Sequence, residues 1–159
     1  MADTNKSKKK AAALADRGKV MTLSTALDGA AWAAPVYYVF IRPGFYFFSN
    51  PSSRHITDAL ASGRAACAIF EDGKTMDDIC GLQMTGEIKP VGSKTRAVSV
   101  IGLYIKKFDI FESFLKNNGP VGPDFFESAF NARLYRFMPQ QIFYMENRTG
   151  FSTRVETGI

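Results

Sequence analysis

Apolar and polar positions alternate with period two along most of this chain, and helical spacing breaks in at a few places. Val20 to Gly29 reads as a strand that ends in the Asp28-Gly29 turn. Ala31 to Gly44 is the returning strand, closed by Pro43-Gly44, and GFYFFS, Gly44 to Ser49, is the third. Ala65 to Asp72 and Ile79 to Val91 are the fourth and fifth, joined by a polar loop. ARLYRFMP and QQIFYMEN read as a final pair of strands, because Pro139 between them cannot serve a central ladder. Helical spacing marks about Asp3 to Arg17, Ser53 to Gly63, Ser93 to Lys107, Asp109 to Asn118 and Asp124 to Asn131. In the second of these, Ser52 or Ser53 is the cap, Ile56, Ala59 and Leu60 form the apolar face, and Gly63 is the stop. Six to seven antiparallel strands with few helices predict a mainly β fold, a small barrel with flanking helices.

One strand breaks the alternation. Ala34, Val36, Tyr38 and Phe40 share one face of the returning strand, and Pro35, Tyr37, Val39 and Ile41 share the other. Both faces are apolar, so the inner one belongs to the barrel core and the outer one needs a cover. A second subunit is the expected cover, and a helix of the same chain is the alternative.

Composition narrows the class. With 159 residues, 46% hydrophobic and 14 Phe, the chain can bury a substantial core. Neither a linker nor a repeat divides it. We read residues 1–18 as a basic tail and short helix, and 19–159 as a single domain. The net charge of +5 owes most of its excess to Lys6, Lys8, Lys9 and Lys10, so no nucleic-acid partner is expected. The longest uncharged run, Ala30 to Ile41, falls short of the roughly 20 residues of a membrane helix. Two cysteines, one histidine and no CxxC argue against a disulfide framework and against a metal site, and they fit a cytoplasmic protein.

The candidate chemistry begins at Gly44 to His55. An aromatic strand ends in Ser49-Asn50-Pro51, and a helix starts beside it with Ser53, Arg54 and His55. A helix start offers free N–H groups and a positive dipole end, and Arg54 offers a fork matched to phosphate oxygens. Gln83 falls on the face of the fifth strand opposite Leu82 and Met84, pointing away from the core, where its amide can both donate and accept.

Three segments in order, APVYYVF, YFFSNPSSRH and GLQMTGE, resemble the pyridoxamine 5′-phosphate oxidase-like family of FMN-binding split barrels. The resemblance runs from about Val20 to Val91. It implies a split β-barrel that binds FMN between the subunits of a homodimer and acts as an oxidoreductase on a small molecule. Carried over, it implies that Ala34, Pro35, Val36 and Tyr37 border the flavin ring and that Phe48 and Ser49 line the flavin and ribityl end. Ser53, Arg54 and His55 would hold the phosphate, and Gln83 would reach the cofactor. His55 stands where the oxidase usually has lysine, which replaces a permanent cation by a titratable one. The segment from Arg133 to Arg154 resembles the end of a small branch of the family. This implies that Tyr144, Asn147, Gly150, Phe151 and Arg154 form a tail over the flavin. The oxidase proper carries a Trp near its end, whereas the single Trp here is Trp32, so the resemblance is to the family and not to that enzyme. Lys74 and Thr75, on the polar loop, are further candidates for ligand contact. No residue stands out as a catalytic acid or base. The deazaflavin F420 stays open as cofactor. Two other classes also stay open: a protein that holds flavin without turnover, and a haem-binding split barrel with His55 as ligand candidate.

Overall fold

The computed structural model describes residues 2–108, 116, 123–151 and 153–159. The expected helix Asp109 to Asn118 lies outside them except for Lys116. The strands are β1 (Val20–Leu27), β2 (Ala30–Tyr37), β3 (Val39–Ile41), β4 (Gly44–Ser49), β5 (Ala65–Glu71), β6 (Cys80–Pro90), β7 (Arg133–Glu146) and β8 (Arg154–Glu156). The helices are α1 (Ala2–Arg17), α2 (Arg54–Ser62), α3 (Lys94–Lys107) and α4 (Pro123–Phe130). Every strand pairing is antiparallel, the order is β2-β1-β5-β6-β7-β4-β3, and β8 adds to β7.

The sheet curls into a barrel that stays split between β2 and β3, although these strands are neighbours in the chain. The expected single returning strand is therefore two. It breaks at Tyr38, whose N–H still donates to Lys19 O at 3.1 Å, one pair beyond Val20–Tyr37 in the β1 register. The Tyr38 ring is fully buried and its hydroxyl donates to Ala15 O at 2.9 Å, which ties the break to α1. Gly18 permits this approach, since a Cβ there would lie 2.5 Å from the Tyr38 hydroxyl.

Alternation then sorts the side chains. Met21, Leu23, Phe45, Phe47, Ile69, Leu82 and Phe137 fill the barrel. α1 covers the barrel end formed by Glu71, Cys80 and Glu146, burying Ala11, Leu14 and Ala15 in the same core. α2 covers the opposite end and contributes Ile56 and Ala59; Leu60, expected on its apolar face, is exposed. Gly63 ends α2 at φ 69°, with its N–H on Ala59 O at 2.9 Å.

The outer face of the split strand has two fates. Val39 and Ile41 pack with Tyr46, Phe48, Val100, Tyr104 and Phe108 in a second core beneath α3. That cover is a helix of the same chain, where a second subunit was expected. Pro35 and Tyr37 remain exposed.

The expected final strand pair is one continuous strand, β7. Pro139 lies within it, opposite Gly86, where the β6–β7 register shifts between Thr85 and Gly86. A bulge leaves one residue out of the ladder, so the missing proline N–H is tolerated there.

Candidate functional site

At the α2 end, β4 delivers Ser49 to the start of the helix. Ser49 Oγ lies 2.8 Å from His55 Nε2 and 3.5 Å from Ser53 Oγ. Ser53 occupies the cap position with extended backbone (φ −63°, ψ 140°), yet its side chain makes no capping bond. Its carbonyl accepts from the amides of Ile56 and Thr57. Among the described residues, the amides of Arg54 and His55 find no backbone acceptor, so two N–H groups stay open at the positive end of the helix. Arg54 Nε donates to Asp58 Oδ2 at 3.3 Å, and its guanidinium lies 4.9 Å from the Trp32 ring centroid. Thr25 Oγ1 donates to the same Asp58 oxygen at 3.5 Å. Thr25 and Trp32 are direct partners in the β1–β2 ladder, so one rung brings both to α2. His55 is buried, and its desolvation lowers the imidazole pKa, with Asp58 pulling weakly the other way. The direction favours the neutral ring, which shares a hydrogen bond with Ser49 Oγ.

A second group of candidates sits on the outer face of the sheet. Pro35, Thr22, Ala68, Gln83 and Phe143 form one cross-strand row through β2, β1, β5, β6 and β7. Gln83 points outward as expected, and Arg154 Nε on β8 donates to its Oε1 at 2.8 Å. Ser24, Ala66, Ala68, Gln83, Thr85 and Phe143 line a shallow groove of about 340 Å³ there. Exposed Tyr37, Val20 and Phe70 extend this face toward the α1 end.

No family model and no curated protein matches the chain. Solved structures do match it. An FAD-binding protein from Mesorhizobium loti aligns at 19% identity over 84% of this chain and 88% of its own, with a TM-score of 0.62. A protein from Listeria innocua named as a candidate pyridoxamine 5′-phosphate oxidase aligns at 14% identity over 87% and 97%, with a TM-score of 0.61. HutZ, the haem storage protein of Vibrio cholerae, aligns at 15% identity over 89% and 92%, with a TM-score of 0.58. The chain has the split-barrel fold of the pyridoxamine 5′-phosphate oxidase-like proteins. Neighbours with this fold are described as an FAD-binding protein, a haem-binding protein and a haem storage protein.

Within this split barrel the remaining candidates occupy other places. Ala34 and Val36 turn toward the core, while Pro35 and Tyr37 turn outward. The Phe48 ring packs edge-on against Tyr104 of α3 at 5.3 Å. Thr75 and Asp78 close a reciprocal cap on the turn Met76–Asp78, with Thr75 Oγ1 on Asp78 Oδ2 at 3.0 Å, while Lys74 is exposed. Asn147 Nδ2 donates to Met76 O at 2.8 Å, pinning that turn to the end of β7. Tyr144 is buried in the barrel core, and Phe151 is 71% exposed. Among the described residues, no hydrogen bond joins Ser49, Ser53 or His55 to Gln83. No described helix is long and apolar enough to cross a membrane, no described His, Cys, Asp or Glu cluster is suited to a metal, and Cys67 and Cys80 are free thiols.

Sequence reasoning missed Thr25, Trp32 and Asp58. Arg54 and Asp58 are spaced i, i+4 on a helix, which was a usable signal for that pair. Thr25 and Trp32 reach α2 only through the curl of the sheet and carried none.

Proposed function

We propose that the protein binds FMN as a cytoplasmic homodimer and acts as a flavin-dependent oxidoreductase on a small molecule. The observation that carries the reading is the α2 start, where Ser49, Ser53 and Arg54 meet two open amides at the positive end of a helix. These donors fit a phosphate, and the Arg54 fork fits its oxygens. The groove beside Gln83 is walled by Ala66, Ala68 and Phe143, a surface on which a flat ring can lie. The face that holds it exposes Tyr37 (63%) and Phe70 (67%), which a second copy of the chain would bury along with the ring. Two free cysteines fit a reducing compartment. When bound, the flavin supplies the hydride chemistry; the chain's residues bind and orient it.

The test is an absorbance spectrum of the purified protein, with a melting curve taken with and without FMN and the mass measured by light scattering. Flavin bands or an FMN-dependent rise in Tm, in a particle of twice the chain mass, are the expected results. A Soret band would assign the fold's haem use to this chain instead. No chromophore and no FMN shift would remove the proposal. A flavin that binds but stays oxidised with nicotinamide donors would leave a flavin-holding protein without turnover from those donors.

A further inference from the structure

Arg54 is held on two sides. Asp58 takes its Nε from one helical turn further along α2, and Trp32 covers a face of the guanidinium from β2. The Asp58 side chain is almost wholly buried, whereas that of Arg54 is 45% exposed. The carboxylate therefore grips the guanidinium from the protein side. Among the described residues, the terminal nitrogens of Arg54 make no other hydrogen bond. Thr25 donates to the oxygen that accepts from Arg54, which fixes the carboxylate in turn. A buried polar group left without such partners costs free energy. A free arginine side chain loses rotamer entropy when it grips a ligand; one already held by Nε and by a ring face loses much less.

We infer that Asp58 and Trp32 are positioning residues that present the terminal nitrogens of Arg54 to a phosphate at the start of α2. This rests on the FMN reading given above and extends it to residues that touch no cofactor. A carboxylate this near an anion also repels it. The orientation it imposes on Arg54 outweighs that repulsion.

The experiment compares FMN with riboflavin, which has the same ring and ribityl chain but no phosphate. Both are titrated into the full-length protein and its variants, with flavin fluorescence as the signal. Wild-type protein is expected to bind FMN at least about tenfold tighter than riboflavin, the scale of one charge-assisted contact. If wild type binds neither, or binds both equally, the phosphate site itself falls and the inference falls with it. If wild type discriminates, Asp58→Asn is expected to lower the FMN-to-riboflavin ratio about tenfold while riboflavin affinity holds within about twofold. Trp32→Phe keeps a ring over the guanidinium and should retain the ratio, whereas Trp32→Ala should lower it. An Asp58→Asn protein that keeps the ratio, or raises it, overturns the inference while leaving the phosphate site standing. Should Asp58→Asn fail to fold, the decision passes to Trp32→Ala, at a residue 44% exposed on an edge strand. An unchanged ratio there overturns the inference. Equal loss of FMN and riboflavin affinity would also overturn it, because a merely structural role moves both together.

Discussion

His55 Nε2 lies 2.8 Å from Ser49 Oγ, and both side chains are buried. Burial lowers the imidazole pKa below its ordinary 6.5, and Asp58 opposes the shift without reversing it. The folded state thus prefers the neutral ring, while the unfolded chain takes up a proton near pH 6.5. Between the lowered folded value and 6.5, the unfolded state binds more protons, so stability rises with pH through that window. The contribution is fully present above pH 6.5 and is lost as pH falls through the folded value. Urea midpoints of wild type should fall from pH 7.5 to pH 5 more steeply than those of His55→Gln, which keeps a polar group near Ser49 but cannot titrate. Parallel pH profiles would mean that His55 is not the titrating group.

Tyr104 joins three parts of the fold through one hydroxyl. It donates to Tyr37 O at 2.7 Å, at the end of β2, and also approaches Tyr46 O in β4 at 3.3 Å. Burial holds the phenol in its neutral donor form. Tyr104→Phe removes the donor to the part-buried Tyr37 carbonyl and the buried Tyr46 carbonyl, and the expected loss is about 1–3 kcal/mol. Chemical denaturation measures it. A loss indistinguishable from zero would show that water or another donor replaces the hydroxyl.

How far the fold could be read ahead depended on whether the deciding signal was local. β1, β4, β5 and β6 show clear turn residues and alternation, and α2 carries its own start and stop. The break at Tyr38 had no local signal, because AAPVYYVFI is apolar throughout and contains no glycine. Tyr38 is held there by Lys19 and Ala15, which meet it only in the folded state. Pro139 gave a misleading signal, since its harmlessness depends on Gly86 in another strand. The site divides in the same way. Ser49, Ser53, Arg54 and His55 lie within one short segment and were found together. Gln83 and Arg154 were each singled out, but their hydrogen bond spans β6 to β8 and was not foreseeable.

Phe47 and Phe151 should respond oppositely to truncation. Phe47 is fully buried and stacks on Tyr135 at 5.9 Å, so Phe47→Ala should cost about 3–5 kcal/mol, measured by denaturation. Phe151 is 71% exposed, so Phe151→Ala should change stability by no more than about 0.5 kcal/mol. Loss of FMN affinity in Phe151→Ala, with stability intact, is the outcome expected if the tail covers the flavin. Unchanged affinity would take Phe151 off the site.

Gly86 and Gly102 make the same substitution a test of backbone packing. A Cβ on Gly86 would lie 2.1 Å from Met138 O and 2.9 Å from Met138 C. Those atoms are backbone of the long strand β7, at the place where the register shifts opposite Pro139, so no flexible side chain can move aside. The bulge would have to reopen, and Gly86→Ala should destabilise by about 2–3 kcal/mol. Gly102 lies inside α3, and a Cβ there would meet nothing within 4 Å. Gly102→Ala gains helix propensity without a clash and should stabilise by about 0.5–1 kcal/mol. Thermal melts of the two variants beside wild type should therefore shift in opposite directions. A Gly86→Ala protein as stable as wild type would mean that β6 and β7 do not approach so closely at the bulge. The one-strand description of β7 would then have to give way to two strands separated at Pro139.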